Sequence, residues 1–150
     1  MSSNTQSCAA PTFAGEFRHR IEGKNRITIP ATWRFAEEVE LFMMARAEEK
    51  CISVMTPDAL AEKKATAASL EPEERAAAFH YLGRNLRSVK LDKAGRISIP
   101  DDFCKLLGLE GEVMLSGALD TFRIWKCTDY LPAHLEDEAV RARMQRRLGI

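Results

Sequence analysis

The chain of 150 residues lacks the patterns that usually mark an enzyme, a metal protein or a membrane protein. No apolar run in it approaches the roughly 18 residues of a membrane-spanning helix. Its four cysteines form no C-x-x-C pair and its three histidines form no H-x-x-x-H pair, so zinc-binding spacings are absent. A glycine-rich phosphate loop is also missing. We therefore expect no catalysis, cofactor, metal, membrane contact or small-molecule substrate.

The overall charge favours no partner, because Lys+Arg and Asp+Glu both number 22. The first twelve residues lack the basic start and apolar core of a signal peptide, and their Ser, Asn, Thr, Ala and Pro content is typical of a disordered arm. In a reducing compartment the cysteines are expected to be small buried hydrophobes. We therefore expect a cytoplasmic protein. The cysteines concerned are Cys8, Cys51, Cys104 and Cys127.

What the chain does contain is one short segment twice, 70 residues apart. The first motif is Ile21–Pro30, I-E-G-K-N-R-I-T-I-P, and the second motif is Leu91–Pro100, L-D-K-A-G-R-I-S-I-P. In each motif an arginine follows an acidic residue by four positions and is itself followed by Ile-x-Ile-Pro. One offset that aligns all these residues indicates a chain built from two related halves.

The same offset predicts the elements of each half: a β-hairpin at the motif, a short helix after its proline, and two strands. The helix after Pro30 and the helix after Pro100 each place one aromatic residue, Trp33 and Phe103, on the core. The predicted strands are 39–45 and Cys51–Met55 in the first half, and 112–115 and Thr121–Trp125 in the second.

Between the halves, helix starts at Thr56-Pro57 and Leu70-Glu71-Pro72 predict two helices, towards Ser69 and Gly83. We therefore expect a fold of class α+β. The predicted segments are an arm at 1–12, a first repeat at 13–56, a helical insertion at 57–83, a second repeat at 84–128 and a helical tail at 129–150. The two repeats are expected to form one domain.

Each motif has residues that favour a tight turn. Asn25 and Gly95 occupy the same position, and they are the two residue types that best tolerate a left-handed backbone. Glu22 and Asp92 each precede an arginine across the turn, within reach of a charge-assisted hydrogen bond. Such an acid–arginine pair across the turn, here called the staple, would stabilise the hairpin. The staple explains the two acidic residues by a structural role alone.

The staple does not account for the other charges. The segment 17–34 contains five basic residues against one acid, and so does 84–96, although the whole chain is neutral. A basic two-stranded ribbon fits the major groove of DNA and binds phosphates. This charge pattern adds Arg18 and Arg20 to the candidate DNA-binding residues.

With its doubled motif, the chain resembles the MraZ family, bacterial regulators associated with the division and cell-wall gene cluster. The resemblance covers roughly residues 15–135. Further segments that agree with the family are Pro72–Arg75, Tyr81–Gly83, Glu112–Gly117 and Phe122–Trp125.

The resemblance implies a tandem AbrB-like swapped-hairpin β-barrel of two pseudo-symmetric halves and a ring-shaped homo-oligomer. It also implies that the protein regulates transcription by binding short direct repeats in a promoter. The expected partner is therefore double-stranded DNA, and the protein is expected to associate with the nucleoid. The family's basic contacts match Lys24 and Arg26 in the first motif. The family's second motif matches Asp92 and Arg96, with Lys93 as the nearby basic residue. Glu22, Asn25, Asp92 and Gly95 would maintain the motif structure.

Other functions stay open at this stage. In one, the chain is a structural ring module whose motif charges form salt bridges between subunits. An antitoxin with a toxin partner fits less well, because such antitoxins generally carry one motif and a partner-wrapping tail. The tail is either a solvated helix or a further nucleic-acid contact. Its basic residues are Arg141, Arg143, Arg146 and Arg147.

Overall fold

The computed structural model describes residues 11–35, 38–135 and 137–150. The predicted arm at 1–12 therefore lies outside the described residues, except for Pro11 and Thr12. Within the described ranges the strands are β1 (Glu16–Arg20), β2 (Arg26–Thr28), β3 (Glu40–Arg46), β4 (Cys51–Met55), β5 (Leu86–Lys90), β6 (Arg96–Ser98), β7 (Glu112–Gly117) and β8 (Thr121–Lys126). The helices are α1 (Pro57–Ala68), α2 (Pro72–Asn85), α3 (Asp101–Leu107), α4 (Cys127–Leu135) and α5 (Glu138–Leu148).

These elements confirm the α+β class, and the four predicted strands and the two helices between the halves are present within a few residues of their expected bounds. The hydroxyl of Thr56 accepts a hydrogen bond from the Ala59 N–H and so caps α1, as the sequence predicted. Gly108 ends α3 in a left-handed conformation, with φ at 65°. The helix predicted after Pro30 is shorter than expected, since the described residues there form only one 3-10 turn, Ala31–Trp33.

The strands form an antiparallel six-stranded sheet in the order β1-β7-β8-β4-β3-β5, and a separate two-stranded ladder of β2 and β6. The sheet is open, because no ladder among the described residues joins its edge strands β1 and β5. The expectation of a closed barrel is therefore wrong for this part of the chain. The physical reason is that β2 and β6 pair with each other and do not extend the sheet.

The prediction of a local two-stranded hairpin at each motif is also wrong. Glu22 and Arg26 exchange two backbone hydrogen bonds, 2.8 and 3.2 Å long, across the first turn. Beyond that bridge the two strands separate, since β1 pairs with β7 while β2 pairs with β6. The second motif separates in the same way, with β5 paired to β3. Each motif is thus a tight turn whose two strands belong to different sheets.

An approximate two-fold symmetry relates the halves in both sheets. In the β2–β6 ladder Ile27 lies opposite Ile97, and in the β4–β8 ladder Ser53 lies opposite Arg123. Both pairs consist of residues 70 apart, the offset of the repeat. Each of these ladders therefore joins a strand to its own repeated copy.

The two motif turns brace each other across this symmetry. The Ile29 N–H donates to the Gly95 carbonyl oxygen at 2.8 Å, and the Ile99 N–H donates to the Asn25 carbonyl oxygen at 2.8 Å. The donors are equivalent residues of the two motifs, and so are the acceptors. Each turn is consequently held in place by the strand that follows the other turn.

The main core lies under these ladders on the inner face of the six-stranded sheet. The four isoleucines of the two Ile-x-Ile-Pro segments, here called the motif isoleucines, are buried there together with Trp33 and Phe103, which confirms the predicted inward aromatics. Trp33 packs edge-on against Phe13 and Phe17, with ring centroids 5.6 and 5.2 Å apart. The motif isoleucines are Ile27, Ile29, Ile97 and Ile99.

Two smaller apolar clusters cover parts of the outer face of the sheet. Met44 and Met55 pack beneath Ala59 and Leu82 of the α1–α2 insertion. Trp125 packs with Met114 and with Tyr130 of α4. Among the described helices, none is both long and apolar enough to cross a bilayer.

We expect Ile27→Ala and Ile97→Ala to lower the free energy of unfolding by about 2–4 kcal/mol each, because both side chains are fully buried at the centre of the ladder. Chemical denaturation followed by circular dichroism measures this. Ile150→Ala is the control, since Ile150 is 85% exposed and its loss should change stability by less than about 0.5 kcal/mol. A cost below about 1 kcal/mol at Ile27 would contradict the central place of the ladder.

Candidate nucleic-acid interface

The first turn contains two consecutive residues in the left-handed region. Lys24 has φ and ψ of 65° and 31°, and Asn25 has a φ of 57°. The equivalent of Asn25 in the second motif, Gly95, has a φ of 80°, so the predicted left-handed position is confirmed in both copies. The left-handed Lys24 was not expected, because nothing in the sequence distinguishes a strained lysine from a relaxed one.

Lys24 is exposed at the tip of the turn. A left-handed backbone costs an ordinary L-residue roughly 1–2 kcal/mol, and glycine would avoid most of this cost. Strain of this kind persists where the surrounding structure imposes it, and it is concentrated at functional sites. Here the surroundings are the bridge from Glu22 to Arg26 and the bond from Ile99 to the Asn25 carbonyl.

In the second motif the predicted staple is present. One carboxylate oxygen of Asp92 accepts the Arg96 backbone N–H at 2.9 Å, and the other accepts the guanidinium Nε of Arg96 at 3.1 Å. Chiefly because of the backbone N–H of Arg96, the pKa of Asp92 lies below its ordinary value. Part of the hydrogen-bonding capacity of the Arg96 guanidinium is therefore used within its own turn.

In the first motif the predicted staple is wrong. The Nε of Arg26 donates to the Gly23 carbonyl oxygen at 3.3 Å, and the ion pairs of the described residues include Asp92–Arg96 but not Glu22–Arg26. The side chain of Glu22 is one methylene longer than that of aspartate, and its turn has an additional left-handed residue. The Arg26 guanidinium is therefore held by a neutral carbonyl, without a carboxylate.

The two turns also have different neighbours. The amide Nδ2 of Asn25 donates to Asp101 at 3.4 Å, which places a carboxylate beside the first turn. Gly95 lies against the guanidinium of Arg34, and a Cβ there would come within 2.5 Å of the Arg34 Cζ. Because the Nε of Arg34 is bound to the Ile29 carbonyl oxygen at 3.0 Å, this basic residue braces the second turn.

Several of the basic residues outside the turns lie on edge strands. Arg18 and Arg20 occupy the exposed face of β1, and Arg18 approaches Glu112 at 3.8 Å. Lys90, the equivalent of Arg20, is exposed on β5 at the other edge of the sheet. The predicted basic residues thus do not form one continuous two-stranded ribbon. They are divided between two turns and two sheet edges.

Lys24, Arg20 and Lys93 are exposed and take part in none of the ion pairs found among the described residues. In contrast, Arg87 binds Asp102 at 2.8 Å and stacks on the Phe103 ring, 5.1 Å from its centroid. The unpaired cations are therefore those best suited to external phosphates.

The cysteines fit the structural role expected of them. Cys51 and Cys104 are buried and Cys127 is half-buried, and burial raises the pKa of each thiol, so they stay protonated. Cys8 lies outside the described residues. Within those ranges, no three His, Cys, Asp or Glu side chains are grouped so that they could hold a metal ion.

Comparison with known proteins matches residues 84–148 to the family model described as "MraZ protein, putative antitoxin-like". The chain is 33% identical over 118 residues to the transcriptional regulator MraZ of Desulfitobacterium hafniense, covering 75% of this chain and 80% of that one. With the MraZ of Halothermothrix orenii the identity is 30% over 115 residues, again 75% and 80% of the two chains. The MraZ of Clostridium tetani is 27% identical over 144 residues, which are 92% of this chain and 99% of that protein.

We expect Lys24→Gly to stabilise the protein by about 0.5–1 kcal/mol. Relief of left-handed strain, roughly 1–2 kcal/mol, exceeds the backbone entropy of glycine, roughly 0.5–1 kcal/mol. Chemical denaturation measures the difference. Lys93→Gly is the matched control, since Lys93 is not among the residues with positive φ and glycine there should destabilise. Equal effects of the two substitutions would show that Lys24 is not strained.

Asp92→Asn should lower the free energy of unfolding at pH 6, because the amide loses the charge-assisted bonds to Arg96. A depressed pKa contributes stability above the ordinary value of 3.8, and this contribution is lost as the pH falls through the folded-state pKa. The difference in the free energy of unfolding between the wild type and Asp92→Asn should therefore become smaller below pH 3.8. Glu22→Gln should lower the free energy of unfolding by less at pH 6, because within the described ranges the Glu22 carboxylate is not paired with Arg26. If the difference in the free energy of unfolding between the wild type and Asp92→Asn does not change with pH, the Asp92–Arg96 staple is refuted.

Proposed function

Because this chain belongs to the MraZ family, we propose that it is a DNA-binding transcriptional regulator that contacts DNA through its motif turns. The relatives named above are transcriptional regulators. The observation that carries the proposal is Lys24, an exposed cation kept in a strained conformation at the tip of a doubly braced turn. A rigid turn with an unpaired lysine at its tip is suited to a phosphate contact, which positions a protein on the duplex.

The first motif is the main DNA contact in this proposal. Arg26 lies two residues from Lys24, and the one hydrogen bond that its guanidinium makes among the described residues is the long one to the Gly23 carbonyl. A guanidinium held by a neutral acceptor keeps its full charge and its remaining donors for a phosphate or a guanine edge. Arg18 and Arg20 on β1 extend the positive charge outward from this turn.

The second motif makes fewer contacts. Arg96 is bound to Asp92, and Gly95 lies against Arg34, so this turn serves chiefly to complete the fold. Lys93 is its exposed, unpaired cation and supplies the remaining phosphate contact. Glu22, Asn25, Asp92 and Gly95 act as structural residues of the two motifs.

The proposal includes assembly and target. The two repeats, 13–56 and 84–128, act as one AbrB-like domain with swapped hairpins, which the strand pairing between halves supports. Several such domains form a ring that binds short direct repeats in a promoter, so that weak contacts add through effective concentration. The genes controlled are those of the division and cell-wall cluster, and the protein acts in the cytoplasm on the nucleoid.

A structural ring without DNA binding is supported less well. That alternative uses the motif charges as salt bridges between subunits. In this chain the acid and arginine of the second motif bind each other, so they do not require a partner subunit.

We expect Arg26→Gln to weaken binding to the DNA upstream of the gene about fivefold to tenfold, without changing the oligomer. The slope of log affinity against log salt should fall by about 0.9 for each phosphate contact removed. Fluorescence anisotropy at several salt concentrations measures both, and light scattering measures the molar mass.

Arg75→Gln on α2 is the control, since it removes the same charge from an exposed residue outside both motifs. If Arg26→Gln leaves affinity and salt slope unchanged, or acts no more strongly than Arg75→Gln, the role given to the first motif is wrong. If Arg26→Gln instead dissociates the oligomer, the structural alternative gains support.

A further inference from the structure

A cleft of about 220 Å³ lies between the outer face of the sheet and the α1–α2 insertion. Its apolar floor consists of Met44, Met55 and Leu82, which belong to β3, β4 and α2. None of the residues that line it belongs to either motif. The cleft is therefore separate from the residues proposed to contact DNA.

The polar lining of the cleft is basic. Arg46, Lys63 and Arg123 line it, beside the hydroxyl-bearing side chains of Ser53 and Thr121. Glu49 binds both arginines, Arg123 at 2.9 Å. Lys63 takes part in none of the ion pairs found among the described residues. The two arginines and Lys63 carry three positive charges, and Glu49 neutralises one of them. The cleft therefore has an excess of two positive charges.

One donor in this cluster is buried without a partner. The Nε of Arg123 has no hydrogen-bond partner within the described part of the chain, although water does not reach it. Burial is the main cause that raises the pKa of the neighbouring Cys51 thiol, while the charge of Arg123 and a contact with its side chain act to lower it, so the thiol is only a weak acceptor for Arg123. Buried donors of native proteins are nearly always paired, and the exceptions are usually explained by strain, by a functional role, or by a bound water or ion.

We propose that this cleft binds a small organic anion, a phosphate or carboxylate group attached to a short apolar group. The anionic group lies between Arg123 and Lys63, where it is attracted by both positive charges and accepts hydrogen bonds from the Lys63 ammonium and the two hydroxyls. Its apolar part lies on the methionines and Leu82. The volume admits a molecule of roughly ten to fifteen heavy atoms and excludes a nucleic-acid duplex. The occupant is a ligand and undergoes no reaction.

Such a ligand would join elements that the chain connects weakly. Arg123 lies on β8 opposite Ser53, and the approximate two-fold axis passes through this pair. In contrast, Lys63 and Leu82 belong to the α1–α2 insertion. An anion held between Arg123 and Lys63 therefore fixes the insertion against the sheet. This inference does not depend on the proposed DNA binding, because it concerns a separate cleft.

The test uses the full chain with methionines labelled by ¹³C at the methyl group, titrated with phenyl phosphate and with benzoate at constant ionic strength. We expect saturable shifts of the Met44 and Met55 methyl signals and none at Met144, which lies on α5. Benzyl alcohol should cause no such shifts, and inorganic phosphate should bind more weakly than phenyl phosphate. The tighter of the two aromatic anions identifies the preferred head group.

Lys63→Gln should weaken phenyl phosphate binding about fivefold. Lys64→Gln, the neighbouring lysine outside the cleft, should leave it unchanged. Since neither lysine takes part in an ion pair of the described residues, both variants should fold, and Arg123, which also holds Glu49, need not be altered. Two outcomes overturn the proposal: no saturable shift at Met44 or Met55 up to about 10 mM of either aromatic anion, or equal effects of the two substitutions.

Discussion

The reciprocal pair of backbone hydrogen bonds between the motifs is the constraint on which the rest of the structure depends. Ile29 donates to the Gly95 carbonyl, and Ile99 donates to the Asn25 carbonyl. Both acceptors are carbonyl groups of left-handed residues, so the bonds require the same unusual backbone twice. Once these bonds form, Ile27 and Ile97 lie opposite each other in the core, and the strands before each turn are directed to the opposite half. The exposed tips of the turns are fixed as a result.

Much of this arrangement could be predicted from residues. The Asn25–Gly95 substitution indicated a left-handed position, the Ile-x-Ile pattern indicated buried strands, and Thr56 indicated the start of α1. The sequence could not show which strands pair, because alternation reports only which face of a strand is buried. The hairpins were therefore expected to be local, whereas the observed partners lie in the other half. The missing Glu22–Arg26 staple and the strained Lys24 depend on side-chain reach and turn geometry, which spacing alone does not determine.

The duplication allowed the two motifs to take different tasks within one fold. The second motif combines aspartate with glycine, so its turn is relaxed and its arginine is bound to the acid. The first combines glutamate with lysine and asparagine, so its turn is strained and its arginine is bound only to a carbonyl. Because each turn is held by the other motif, the relaxed copy stabilises the strained one. A single-motif chain would have to obtain that support from a second molecule.

The pairing of β1 with β7 has a consequence for synthesis. Glu16 lies opposite Ser116, so β1 and its ladder partner are separated by about 100 residues of chain. At translation rates of about 5–20 residues per second, β1 is synthesised roughly 5–20 s before β7. During that interval β1, with its partly buried Phe17, has no sheet to join, and the six-stranded sheet cannot form. The sheet of the first half therefore stays incomplete until the second half has been synthesised.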